Sequence, residues 1–142
     1  MVLRWLQSLR SPKSLGQRGE AAAERYLKKR GYKIVARGQR DSLGELDLVA
    51  VDMRDPFGPT VVFVEVKTRS SHDAGHPAEA VDADKQRRIT NLALGYLRRH
   101  GLLNHRARFD VLAVTWPADQ KKPTIEHFES AFECVGDGQM YS

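Results

Sequence analysis

The stretch Phe63-Val-Glu-Val-Lys67 decides the fold, because it brings two charged side chains into an otherwise apolar segment. It belongs to a run over residues 60–68 whose first half is apolar at every position after Thr60, which predicts a central strand covered on both sides. Alternation places Glu65 and Lys67 on the same face as Phe63 and the valines on the other. Buried charges are costly unless they pair or bind an ion. The stretch therefore predicts either a structural ion pair or a functional site.

The preceding strand, predicted over residues 46–51, carries further acidic residues. In Gly44-Glu-Leu-Asp-Leu48, alternation puts Leu46 and Leu48 on one face, and Glu45 and Asp47 on the other. A segment dense in turn formers, residues 52–59, joins this strand to the next and indicates a hairpin.

In such a hairpin, Asp47 can lie beside Glu65 across the ladder. Two adjacent carboxylates repel each other, and a divalent cation between them removes the repulsion. Oxygen ligands of this kind suit Mg²⁺ or Mn²⁺. Lys67 could position or polarise a water near such an ion, which is the chemistry of phosphodiester hydrolysis. Glu45 is the competing carboxylate and ranks below Asp47 as a ligand.

The other elements predict an α/β fold with a mixed sheet flanked by helices. Helical spacing of small and apolar residues predicts helices over residues 15–30 and 84–100, each ended by a glycine. Further strands are predicted over residues 32–36, 109–114 and, as a short last strand, 124–128. The predicted domain covers residues 14–133, between a basic N-terminal arm, residues 1–13, and a tail, residues 134–142.

Composition narrows the class of protein. The chain has 142 residues, of which 41% are hydrophobic and 29% charged, typical of a globular domain rather than a disordered chain. The net charge of +5 favours a polyanionic partner such as nucleic acid. One cysteine, Cys134, cannot form an internal disulfide, and no apolar run is long enough for a membrane span. We expect a cytoplasmic protein without stable membrane association.

Several motifs, in this order and spacing, resemble the PD-(D/E)xK nuclease superfamily. Within it the chain resembles the YraN-like family of uncharacterised bacterial proteins, similar in fold to restriction endonucleases and Holliday-junction resolvases. The motifs that carry the resemblance are Gly16-Gln-Arg-Gly-Glu20, Gly44-Glu-Leu-Asp47, Phe63-Val-Glu-Val-Lys-Thr-Arg69, Lys85-Gln-Arg-Arg-Ile89 and Arg108-Phe-Asp-Val111. The proline of the superfamily's Pro-Asp pair is replaced here by Leu46, a departure that so degenerate a motif tolerates.

The resemblance implies a role for each site residue. Asp47 and Glu65 would be metal ligands for Mg²⁺ or Mn²⁺, and Lys67 the catalytic lysine. Glu20 matches a glutamate on the first helix of resolvase-like nucleases and would be an outer ligand, the alternative being a surface glutamate paired with Arg25 or Lys28. The implied function is a metal-dependent endonuclease that hydrolyses DNA phosphodiester bonds, with branched or damaged DNA in repair or recombination as substrate.

Other residues are assigned to binding or to structure. Arg69, Lys85 and Arg88 are predicted to contact nucleic-acid phosphates, the alternative for Arg88 being a solvated helix face. Resolvase resemblance also implies a homodimer, since two symmetric cuts need two sites. The competing function is a non-catalytic nucleic-acid-binding module of the same fold. Asp110, amid apolar strand residues, is predicted to form structural hydrogen bonds.

Overall fold

The computed structural model describes residues 13–71, 73 and 81–134. Within these ranges the chain forms two helices and five strands: α1 (Leu15–Lys29), β1 (Tyr32–Asp41), β2 (Gly44–Asp52), β3 (Thr60–Arg69), α2 (Ala83–Arg99), β4 (Ala107–Thr115) and β5 (Thr124–Phe132). This confirms the predicted α/β class and the order of elements. Residues 1–12 of the predicted basic arm and residues 135–142 of the predicted tail lie outside the described residues.

The strands form one mixed sheet in the order β1-β2-β3-β4-β5. Neighbours are antiparallel except β3 and β4, which are parallel. The parallel pair follows from the chain order, because α2 connects the two strands and carries the chain back to the edge where β3 began. The long strand β3 therefore lies in the middle of the sheet, as its apolar sequence predicts.

Each face of the sheet is covered by one helix. On one face α1 contributes Ala22, Ala23 and Leu27 to a core with Val62 and Val64 of β3. On the other face, α2 packs its apolar side chains against Val61 and Phe63 of β3. That second core includes Val61, Phe63, Ile89, Leu92, Leu97, Phe109 and Val111. Alternate residues of β3 thus reach opposite cores, which confirms a strand covered on both sides.

Both helices start and stop with local capping interactions. Ser14 forms a capping box with Gln17 at the start of α1, and the Asp82 side chain accepts the N–H of Lys85 at the start of α2. Gly31 has a φ of +90° directly after the last residue of the α1 cap. Only glycine adopts that conformation without strain, so the predicted glycine stop is confirmed.

The two edge strands are longer than their sequence indicates. β1 continues from residue 36 to Asp41, and β5 from residue 128 to Phe132. The added parts are mostly polar and exposed, so they lack the apolar alternation from which a strand is predicted. Ladder hydrogen bonds to β2 and β4 hold them instead.

The prediction that Leu46 and Leu48 share a face of β2 is wrong. Leu46 belongs to the core beneath α2, whereas Leu48 belongs to the core beneath α1. The β2–β3 pairing ends at Leu48 and Val64, so the beginning of β2 is paired only with β1. The departure from strict alternation therefore falls in the part of β2 that β3 does not pair with.

Among the described residues, neither helix combines the length and the apolar character that crossing a membrane requires.

The contact between α1 and β3 requires glycine at position 19. A Cβ added to Gly19 would lie 2.8 Å from the Cβ of Thr68, closer than such atoms approach. We predict that Gly19→Ala lowers the free energy of unfolding by about 1–3 kcal/mol, because helix and strand must separate. Urea denaturation measures this change.

Gly16→Ala is the matched control. A Cβ at Gly16 would meet only the Ser14 hydroxyl, at 4.0 Å. Alanine should therefore stabilise the helix there by up to about 1 kcal/mol. Equal effects of the two substitutions would show that the close approach at Gly19 does not matter.

Candidate metal and catalytic site

Asp47 and Glu65 lie side by side on two paired strands. Leu48 of β2 pairs with Val64 of β3, and the two acidic residues are the next ones along each strand. Their carboxyl groups are close enough to interact directly. The Oδ2 atom of Asp47 also accepts the backbone N–H of Val66 at 2.9 Å, which fixes this carboxyl against β3.

The environment of Asp47 disfavours its charge. Burial, followed by the neighbouring Glu65 carboxylate, raises the pKa of Asp47 to about 7. The hydrogen bond from Val66 acts in the opposite direction, and the more distant Glu20 adds to the increase. A carboxyl that is half ionised near neutral pH, next to a second carboxylate, is characteristic of sites that bind cations or transfer protons.

Glu65 has a counter-ion that sequence reasoning missed. The Nζ atom of Lys85 lies 2.6 Å from Oε1 of Glu65, and only 12% of the glutamate side chain is exposed. Lys85 stands in the first turn of α2, three residues after the Asp82 cap. A cation is electrostatically unfavourable at a helix N-terminus, so its position there was the available signal that it has an acidic partner. Lys85, predicted to contact phosphate, thus contacts a candidate metal ligand.

Lys67 is exposed near the end of β3. Among the residues that the structure describes, it forms no ion pair with a carboxylate. Arg69 follows on the same strand, and its carbonyl oxygen accepts the N–H of Trp116 at 2.8 Å. Arg88 lines a cavity of about 120 Å³ together with Glu45 and Lys85. Lys85 and Arg88 therefore line one cavity from α2, whereas Lys67 and Arg69 follow Glu65 along β3.

Glu20 is exposed on the first half of α1 but is electrostatically linked to the site. Its pKa is raised by partial burial and then by the carboxylates of Glu45 and Glu65. Glu45 itself pairs with Arg40, at 2.6 Å. Glu20 therefore lies within the negative field of the two strands, and it is not paired with Arg25 or Lys28: Lys28 binds Glu24.

The donor set suits a magnesium-like ion that keeps part of its water shell. In the described part of the chain, no three Asp, Glu, His or Cys residues form a ready metal cluster. Mg²⁺ is, however, commonly held by one or two carboxylates, with waters and substrate phosphates as the remaining ligands. Asp47 and Glu65 provide two such carboxylates, whose mutual repulsion a cation would relieve.

Asp110 is a buried carboxylate whose hydrogen bonds are structural. It is fully buried and accepts hydrogen bonds from Nε of Arg108 and from the N–H of Ser130, both at 3.0 Å. The Nε2 atom of His127 lies 2.7 Å away. Arg108 continues the network to Asp52, at 3.0 Å. The prediction that Asp110 forms structural hydrogen bonds is confirmed.

The fold and the site together define an α/β protein with a pair of interacting carboxylates on two neighbouring strands of its sheet. A family model described as "Uncharacterised protein family UPF0102" matches residues 19–114, and the chain belongs to this family. The predicted membership of the YraN-like family is thereby confirmed.

Relatives match along most of their length. A UPF0102 protein of Rhodopirellula baltica is 49% identical over 89% of this chain and 75% of its own. One from Geotalea uraniireducens is 48% identical over 85% of this chain and 91% of its own. Among solved structures, Pyrococcus furiosus SfsA in complex with Ca²⁺ aligns over 80% of this chain and 61% of its own, with 13% identity. Its TM-score of 0.34 is too low to establish a common fold.

The raised pKa of Asp47 predicts a pH-dependent stability. Between about pH 4 and 7 the folded protein retains a proton on Asp47 that the unfolded chain has released. The folded state then binds more protons, so stability falls as the pH rises, by about 1.4 kcal/mol per pH unit at most. Asp47→Asn should remove this decrease. Denaturation of both proteins from pH 4 to pH 8 measures the difference.

The amide oxygen introduced by Asp47→Asn can still accept the Val66 N–H, so the comparison isolates the charge. Asp119→Asn, which removes an exposed carboxylate between β4 and β5, is the control and should leave the slope unchanged. A wild-type slope that persists in Asp47→Asn would mean that another group carries the proton.

Proposed function

We propose that the protein is a metal-dependent endonuclease of the PD-(D/E)xK type that hydrolyses DNA phosphodiester bonds. The observation that carries the proposal is the adjacency of Asp47 and Glu65 on paired strands, together with the pKa of about 7 at Asp47. Purely structural carboxylates in this chain, such as Asp110, are surrounded by cationic and N–H donors. The Asp47–Glu65 pair also has an N–H donor and one cation, Val66 and Lys85, but it differs in bringing two carboxyl groups together.

Asp47 and Glu65 would hold Mg²⁺ or Mn²⁺, with Glu20 as an outer ligand. The ion supplies Lewis acidity and lowers the pKa of a bound water. The protein contributes the arrangement of the ligands. The Val66 N–H fixes Asp47, and Lys85 fixes one oxygen of Glu65 while its other oxygen has no such ion pair among the described residues.

Lys67 supplies the positive charge of the reaction centre. It lies two residues beyond Glu65 on β3, is exposed, and is not engaged by a described carboxylate. An ammonium group in this position stabilises charge that develops on the attacked phosphate or orients the attacking water. Interactions that strengthen in the transition state raise the rate without strengthening ground-state binding.

A DNA partner is consistent with the charges around the site. Arg88 lines a cavity with Glu45 and Lys85, and Arg69 lies four residues beyond Glu65 on β3. Arginines in such positions can contact phosphates without reading the base sequence. We propose branched or damaged DNA as the substrate class and a homodimer as the active form, because two symmetric cuts need two sites. Repair or recombination would be the setting.

A non-catalytic nucleic-acid-binding module is the second candidate. The Lys85–Glu65 ion pair favours it, because the protein itself supplies a positive charge to the carboxylate that would otherwise bind the metal. In such a module the paired carboxylates would be a structural feature of the strand ends, and the basic residues alone would function.

Lys67→Ala separates the two candidates. We predict that it reduces cleavage of branched DNA in Mg²⁺ or Mn²⁺ by about 100-fold or more, and leaves DNA affinity within about twofold of wild type. A gel assay on labelled branched, duplex and single-stranded substrates measures the first quantity, and fluorescence anisotropy the second. Lys33→Ala, which removes an exposed lysine of β1, is the charge-matched control and should cut normally.

Two results would contradict the nuclease. Binding without cleavage by the wild type on every substrate, in both metals, would support the binding module. Cleavage by Lys67→Ala at the wild-type rate would show that the activity comes from other residues or from a contaminant. If Lys33→Ala also loses activity, the effect of Lys67→Ala comes from the loss of positive charge in general and not from a specific role of Lys67.

A further inference from the structure

A second basic surface lies on the opposite side of α1 from Glu20. There a groove of about 380 Å³ opens between α1 and the segment that leads from β4 into β5. We define the groove by its five cationic side chains: Arg25, Lys29, Arg30, Lys121 and Lys122. Among the described residues that line it there is no carboxylate. None of the residues assigned to the candidate nuclease site lines it.

The positive charges of the groove are not neutralised by carboxylates of the described residues. Of the ion pairs between described residues, none involves any of its five cations. Elsewhere exposed basic residues do pair, as Lys28 does with Glu24 at 2.9 Å and Arg106 with Asp55 at 3.4 Å. Five like charges around one concavity repel each other, and an anionic ligand would relieve that repulsion.

Charge is segregated around the axis of α1. Glu20 and Glu24 lie toward β1, where Glu24 pairs with Arg37. At 100° per residue, Arg25 and Lys29 fall on the side away from Glu20, toward β4 and β5. The helix therefore carries Arg25 and Lys29 on the side of the groove, whereas Lys28 pairs with Glu24 on the acidic side.

Arg30 in the groove and Arg18 next to it each contact an aromatic ring. The guanidinium of Arg30 lies 3.7 Å from the ring centroid of Tyr26, and that of Arg18 lies 4.1 Å from the ring of Trp116. Such cation–π contacts position a guanidinium without neutralising its charge, which suits it to phosphate oxygens. Trp116 also connects the groove to the end of β3 through its N–H bond to the Arg69 carbonyl.

We propose that this groove binds the phosphodiester backbone of nucleic acid. It is a site separate from the carboxylate pair. Its ligand is a run of phosphates rather than bases, because the cations recognise charge and the described aromatic rings already stack on arginines. The proposal rests on the proposed nucleic-acid function in its choice of ligand, but not on cleavage. A strand in the groove would continue toward the end of β3 that carries Lys67 and Arg69.

The test is DNA binding without metal, so that cleavage plays no part. Lys121→Gln/Lys122→Gln removes two exposed charges from a loop and should not disturb folding, which a thermal melt verifies. Each phosphate contact contributes about 0.7–0.9 to the slope of log affinity against log salt. We expect the double variant to lower that slope by about 1.4–1.8 for a labelled oligonucleotide in EDTA. Arg98→Gln/Arg99→Gln, on the opposite face of the sheet, is the control and should leave it unchanged.

Trp116 provides a local signal for the same event. With the other tryptophan removed by Trp5→Phe, oligonucleotide binding should change Trp116 fluorescence in the full-length protein, and inorganic phosphate at equal phosphate concentration should not saturate the change. If both double variants lower the salt-dependence slope equally, or if neither lowers it, the groove is not the binding site and the proposal is wrong. If inorganic phosphate saturates the Trp116 fluorescence change, the groove binds small anions and the proposed nucleic-acid backbone is not its ligand. If wild type binds no nucleic acid at all, the proposed function fails as well.

Discussion

The close approach of two carboxyl groups on β2 and β3 is the constraint on which the site depends. Asp47 and Glu65 are neighbours because β2 and β3 pair in one register, and that register is set by the apolar residues packed on both faces. A shift of one residue would turn Glu65 to the α1 side of the sheet. The cores beneath the two helices therefore position the carboxylates as well as stabilise the fold.

The protein treats its buried acids in two different ways. Asp52 and Asp110 are neutralised by arginines and a histidine, and the bonds to Arg54 and Arg108 keep the pKa of Asp52 well below its usual range. Asp47, by contrast, is buried, receives one backbone N–H and faces Glu65, so its pKa rises instead. Lys85 pairs with Glu65, but Asp47 is left in contact with a second carboxyl group and has no cationic partner of its own among the described residues.

Much of the fold could be predicted from the sequence, because the signals are local. The valine-rich β3, the helical spacing of Ala22, Ala23 and Leu27, and Gly31 as a stop each depend on neighbours in the chain. The polar extensions of β1 and β5 could not, since pairing partners far along the chain hold them. The face of Leu46 was mispredicted because strict alternation was assumed over the whole of β2, whereas Leu46 and Leu48 belong to different cores.

The site was predictable to a similar extent. The alternation of Glu65 with valines, and an acid on the preceding strand, indicated two converging carboxylates. The Lys85–Glu65 contact was not predictable from spacing, because it depends on where α2 packs over the sheet. The basic groove was not predicted either. Its cations come from α1 and from a segment about ninety residues later, and only the folded sheet brings them together.

The central claim is that the carboxylate pair holds a divalent cation, and a crystal structure grown with Mn²⁺ tests it most directly. The account predicts one strong anomalous scattering peak between the carboxylates of Asp47 and Glu65, within about 2.0–2.4 Å of an oxygen of each, and no peak there in Asp47→Asn crystals. A manganese ion bound elsewhere, or no peak while Lys85 remains on Glu65, would contradict it.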